Sequence, residues 1–242
     1  MIKKVLVMHK EIGETPLEAI EKFKKSNPEY IDIPMTYAGR LDPMAEGVLI
    51  VLVGEECKNK DKYLGLDKEY EIEVLCGVKT DTQDILGLIR GINIEKHSDV
   101  TLEKYVKKFT QTYPMYSSKT VRGKQLYEYA RAGEEPDDIP TKEVEIYSIE
   151  NIGKRELNGE EIARTALEKI SSVNGDFRQE DIAQDWQDFG QEFSTIDFNI
   201  MKLRVKCSSG TYMRTLAETI GKNVGVGAIA YSIKRVKVGK YQ

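Results

Sequence analysis

Residues 48–53, Val-Leu-Ile-Val-Leu-Val, form the longest unbroken apolar run in the chain. Six residues fall far short of the roughly 20 that cross a bilayer. Rich in β-branched side chains and bounded by Gly47 and Gly54, the run reads as a buried strand, which obliges the chain to build a sheet around it. It is entered through Gly39-Arg40-Leu41-Asp42-Pro43. A surface turn has no use for the leucine, so this turn places one carboxylate, Asp42, at the edge of a core.

The remaining pattern mixes both periods. Residues 3–10 read as a short strand, followed by a helix capped by Thr15, with Pro16 at its first position and Leu17, Ile20 and Phe23 on one face. Tyr70, Ile72 and Val74 alternate with Glu69, Glu71 and Glu73, the period of a half-exposed strand. Leu102, Tyr105, Val106 and Phe109 fall at helical spacing and predict a helix over 100–110. Thr80, Asp81, Thr82 and Asp84 read as a turn at a strand end. Residues 113–133 read as a basic, tyrosine-bearing loop around Gly123 and a helix ended by Gly133. A strand over 143–152 precedes a helical pair at 159–192, with Ile162, Ala166 and Ile170 on one stripe and Ile182, Trp186 and Phe189 on the next. Strand, turn and helix follow over 201–221, then a basic strand. No regular βαβ alternation appears, so the expected class is α+β: a mixed, mostly antiparallel central sheet with flanking helices, in a single domain.

Composition excludes several functions. Three cysteines, Cys57, Cys76 and Cys207, and two histidines, His9 and His97, match no disulfide framework or zinc spacing. No metal or other cofactor is expected. With no export signal, no membrane association is expected, and the cytoplasm is the expected compartment; a monomer is the expected state. The net charge of -4 conceals an uneven distribution. Residues 134–200 carry 6 basic against 18 acidic side chains, and residues 201–242 carry 9 basic against 1 acidic. A locally basic face suits a polyanion despite the acidic average.

Five stretches, in order, carry a resemblance. They are KEIGET with Lys10, AGRLDPMAEGVL with Asp42, the segment 66–87 with Tyr70, PMYSSKTVRGKQLYEYARAG, and CSSGTYMRTLAETIG with Arg214. Together they resemble the TruB-type pseudouridine synthases, which isomerise a T-loop uridine (position 55) of tRNA. The chain departs from that pattern at Tyr37, where histidine is usual, and at Arg40, where threonine is usual; Gly-Arg-Leu-Asp is instead similar to the turn of ribosomal-RNA pseudouridine synthases. The helical pair resembles an insertion, expected to face away from RNA because it is acidic. No C-terminal PUA domain is expected.

The resemblance implies Asp42, Tyr70 and Arg214 as catalytic, with Arg214 pairing Asp42 in a bidentate manner. It implies substrate contacts from Tyr212, Ile233, Lys10, Tyr37 and Arg40, and phosphate contacts from Lys119, Arg122, Lys124 and Arg131 and from Lys234, Arg235 and Lys237 on the last strand. The expected partner is the T-arm of tRNA, and the expected reaction breaks and remakes a glycosidic bond after base flipping. Two alternatives stay open: a synthase acting on ribosomal or other RNA, and a non-catalytic RNA-binding or tRNA-folding module.

Overall fold

The computed structural model describes residues 2–95 and 100–242, so His97 lies outside the described residues. The chain begins with β1 (Val5–Lys10), α1 (Pro16–Ser26), β2 (Met35–Ala38), β3 (Ala45–Val53), α2 (Lys60–Leu64) and β4 (Lys68–Cys76). Next come β5 (Val78–Thr80), β6 (Ile89–Ile92), β7 (Lys108–Thr112), β8 (Thr120–Val121), β9 (Lys124–Gln125) and α3 (Leu126–Arg131). The rest is β10 (Thr141–Asn158), α4 (Gly159–Ser172), α5 (Gln179–Glu192), β11 (Asp197–Cys207), α6 (Met213–Val224) and β12 (Ala228–Val238).

The central sheet has eight strands in the order β1-β3-β12-β4-β11-β10-β7, with β2 beside β3. Its named pairings are antiparallel except β3 with β12. The expected α+β class is therefore what the chain forms. The apolar run lies inside β3, where Leu49 to Leu52 have no exposed surface. Thr15 caps α1 in a capping box with Glu18, and Pro16 occupies the first turn. The buried face of α1 is Pro16, Ala19 and Ile20, while Leu17 is exposed. Among the described residues no helix is long and apolar enough to cross a membrane.

One expectation fails here. Residues 100–110 hold only a short 3-10 turn at Glu103–Tyr105 and then enter β7, which pairs with β10. Pairing with β10 at the sheet edge overrides the local helical spacing. The helical pair does form, but it does not stand apart from the site. Ile162, Trp186 and Phe189 belong to the same buried cluster as Tyr70, Leu203 and Leu216, and the loop joining α4 to α5 borders the cleft described below.

Candidate active site

Cations buried on either side hold the turn before β3 in place. Arg235, 1% exposed, donates from Nε to the Val48 carbonyl at 2.8 Å, from Nη2 to Gly39 at 3.0 Å and from Nη1 to Arg40 at 3.3 Å. Lys10, fully buried, donates from Nζ to the carbonyls of Ala45 and Glu11, both at 2.7 Å. The Gly13 amide donates to Pro43 at 2.9 Å and the Ala45 amide to Asp42 at 3.0 Å. Leu41 and Met44 plug the turn into the core. At Gly47, φ is +112° and any Cβ would collide with the Arg235 carbonyl, so glycine alone lets β12 approach this closely. The outcome is a rigid turn whose Asp42 side chain keeps 32% of its surface open.

Arg214 meets this carboxylate from the first turn of α6. A cation at a helix N-terminus opposes the helix dipole, and at 2% exposure it also loses its water. Four acceptors offset both costs. Nε donates to Asp42 at 2.9 Å and lies 3.5 Å from Asp84, Nη1 donates to the Thr82 carbonyl at 2.8 Å, and Nη2 to the Tyr116 carbonyl at 3.1 Å. Burial works against the charge, but Asp42 and Asp84 more than offset it and hold the pKa above the usual arginine value. The expected bidentate pair is not formed, because the fork is spent on two carbonyls and only Nε reaches Asp42.

The Thr-Asp-Thr-Gln-Asp turn is thus more than the end of a strand. Asp84 is 4% exposed and accepts from Thr82 Oγ1 at 2.7 Å and the Leu86 amide at 2.9 Å. Burial raises its pKa, with Arg214 and Thr82 opposing. Asp81 accepts from Arg178 at 2.7 Å and from the Tyr116 hydroxyl at 3.1 Å. Density of short acidic and hydroxyl residues was the signal for these groups, but the same density also marks an ordinary turn.

Two cavities open on Asp42. One, of about 340 Å³, is walled by Tyr70, Tyr212, Ile233 and Lys68. The other, of about 360 Å³, extends toward Tyr127 and Phe177. They share Arg40, Leu41, Asp42, Ser117 and Ser118. In the first, Tyr70 and Tyr212 keep neutral hydroxyls: burial raises both, that of Tyr212 to about 12. Tyr212 meets Tyr113 edge-on at 5.7 Å, and its amide donates to Gln111 at 2.8 Å. Lys68 was not expected here. It donates to Ser209 Oγ at 3.0 Å and to the Leu64 carbonyl at 2.7 Å, and burial lowers its pKa to about 8.

Asp42, Tyr70, Arg214, Tyr212, Ile233 and Arg40 therefore converge, with Arg235 also lining the first cavity and Arg131 the second, whereas other expected contacts do not. Tyr37 packs among Leu49, Val51 and Met35, with the Lys60 ammonium 5.0 Å above its ring, and lines neither cavity. Lys10 supports the turn from behind rather than facing a cavity. Arg235 lines the first cavity but is 1% exposed, and each of its three nitrogens already donates to a carbonyl. Lys234 and Lys237 sit opposite Glu71 and Glu69, on the sheet face away from Tyr70, because strand neighbours alternate sides and an irregularity between Arg235 and Lys237 brings Lys237 back to that face. In the 113–133 segment, Lys119 lies 5.2 Å over Tyr113, Arg122 pairs with Asp137 at 3.0 Å and Lys124 with Glu134 at 2.7 Å. Arg131 donates to the Asp176 carbonyl.

This architecture is a pseudouridine synthase fold. Over 98% of its length the chain superposes on 49% of a chain in a Cbf5-Nop10-Gar1 complex, with TM-score 0.56 and 19% identity. Residues 34–170 match the model of the TruB family pseudouridylate synthase (N terminal domain). The chain belongs to the TruB family. A tRNA pseudouridine synthase B of Endomicrobium trichonymphae is 31% identical over 241 residues, spanning 97% of this chain and 84% of that protein. The namesake of Psychrobacter arcticus is 30% identical over 248 residues, and this chain spans 54% of its length. That of Geobacillus thermodenitrificans is 32% identical, with 98% and 68% covered.

Proposed function

We propose that the chain isomerises a T-loop uridine of tRNA to pseudouridine, using Asp42 as the one reacting carboxylate. The observation that carries this is Asp42 itself: partly open at a junction of two cavities, yet fixed by Arg214 and by a turn pinned at six carbonyls. Breaking an N-glycosidic bond and rejoining the base through carbon needs a directed anion at the ribose-base junction, and preorganisation holds it there without reorganisation cost. The target uracil enters the cavity of Tyr70, Tyr212 and Ile233. Flipping it out of a folded loop costs a few kcal/mol, partly offset by aromatic stacking of about 1–3 kcal/mol. The Tyr70 hydroxyl, kept neutral by burial, moves a proton after the base has rejoined. Lys119 and Arg40 supply exposed positive charge at the entrance, and Arg122, Lys124 and Arg131 exchange carboxylates or carbonyls for phosphates.

The test is pseudouridine formation in an unmodified tRNA transcript and in an isolated T-arm stem-loop. The chain should modify both, and Asp42→Asn should abolish turnover while RNA affinity stays within a few-fold. Near wild-type turnover by that variant removes the assignment. Arg40 favours a second substrate class, since Gly-Arg-Leu-Asp is similar to the ribosomal-RNA enzymes; a ribosomal fragment modified faster than the T-arm selects it.

A further inference from the structure

The cavity on the Phe177 side of Asp42 has a wall that none of the five motif stretches supplies. It is the loop between α4 and α5, Val173 to Arg178. Arg178 seats this loop, donating to Asp81 at 2.7 Å with its guanidinium 4.7 Å from the Tyr116 ring. Arg178 adopts a left-handed φ of +60°, unusual for a side chain of that size. Phe177 is thereby held over the cleft, 38% exposed. The Arg131 guanidinium lies 5.7 Å from the Phe177 ring centre and 5.9 Å from that of Tyr127.

We propose that this cavity is a second nucleotide subsite, in which the base next to the target uridine stacks on Phe177. The inference rests on the reading of the chain as an RNA uridine isomerase. Continuity is the first support: the two cavities share Arg40, Leu41 and Asp42, so a strand whose target base lies against Tyr70 runs over Asp42 into this space. Chemistry is the second. An open aromatic ring with a guanidinium beside it is a stacking platform for any base, and a volume of about 360 Å³ is on the scale of small-molecule sites. Charge is the third. Asp42, Asp84 and Asp176 border the cavity together with Arg40, Arg131, Arg178 and Arg214, so its wall offers both acceptors and donors to the polar edge of a base. The connecting phosphate meets Arg40 on the shared rim.

The experiment measures equilibrium Kd of the full chain for three stem-loop RNAs: intact, abasic one position 5′ of the target uridine, and abasic one position 3′. Wild type, Phe177→Ala and Phe177→Trp are compared at one salt concentration. Phe177→Ala should weaken the intact RNA at least about fivefold, the lower limit for one stacked base. Phe177→Trp should restore binding, and on one abasic RNA the wild type and Phe177→Ala should bind equally. Equal affinity of wild type and Phe177→Ala for intact RNA overturns the proposal. So does a loss that persists on both abasic RNAs, an equal loss in Phe177→Ala and Phe177→Trp, or no RNA binding by the wild type. Pseudouridine formation by the wild type is read separately: its absence with the Kd coupling intact removes the proposed function and leaves the subsite.

Discussion

Asp84 lies 3.5 Å from Nε of Arg214, the same nitrogen that donates to Asp42 at 2.9 Å. One buried cation is therefore shared between an accessible carboxylate and a sealed one. Asp84→Asn turns an acceptor into a neutral group whose amide repels Nε and shifts the arginine off Asp42. Turnover in single-turnover assays should fall about 10- to 100-fold, or ~1.4–2.7 kcal/mol of transition-state stabilisation, with RNA affinity nearly unchanged. A variant with wild-type rate would show that Asp84 only fills space.

Tyr70 separates stacking from proton transfer. Tyr70→Phe keeps the ring against Ile233 and should bind RNA normally while turnover stalls after the base has rejoined, so an enzyme-bound intermediate accumulates. Tyr70→Ala should lose affinity as well, by about the 1–3 kcal/mol of one stacked base. Identical behaviour of the two variants would rule out the hydroxyl's role.

Arg235 is a structural cation within a basic strand. Arg235→Met leaves the carbonyls of Val48, Gly39 and Arg40 without their donors, at about 1–3 kcal/mol for each buried group left unpaired. Urea unfolding followed by the single tryptophan, Trp186, should show a loss of about 3 kcal/mol or more. The salt dependence of RNA binding should stay as in the wild type, whereas Lys119→Ala should reduce the log-log slope by about 0.9. A slope that falls in Arg235→Met would return this arginine to the phosphates.

Lys10 gives the fold an unusual pH dependence. Burial lowers its pKa from 10.5 to about 8, with Glu14 and Asp42 opposing. Between those values the unfolded chain holds the proton that the folded chain has released, so this group's contribution to stability rises with pH. The stability difference between wild type and Lys10→Met should be flat below pH 8, then grow in favour of the wild type by about 2–3 kcal/mol toward pH 10. A difference that is constant from pH 7 to 10 contradicts this.

What sequence could and could not show follows from the range of each interaction. The alternation at Tyr70, Ile72 and Val74 and the stripe at Ile182, Trp186 and Phe189 are local patterns, and each matched its strand or helix. Leu102 to Phe109 satisfied the helical period by coincidence, and only the presence of β10 beside them makes a strand. Charge along β12 was counted without its period of two; Lys234 and Arg235 cannot share a face, and Arg235 turns inward to three carbonyls. Asp84 was hidden in the density of an ordinary turn and Arg178 had no local signature; their partners, Arg214 and Asp81, lie about 130 and 97 residues away.

The one parallel pairing among the named strands, β3 with β12, sets Ala45–Gly47 against Ile233–Arg235. The Arg235 side chain and the Val48 carbonyl that it bonds across this pairing are separated by 187 residues. Contacts of such separation close late, because the entropy of the intervening chain must be surrendered first. In pulse-labelled refolding, β10 and β11 should gain amide protection before β12 does, and simultaneous protection would contradict this order. During synthesis the same geometry acts as a delay. A nascent chain displays the Asp42 motif long before β12 leaves the ribosome, and until then it has a carboxylate with no seat.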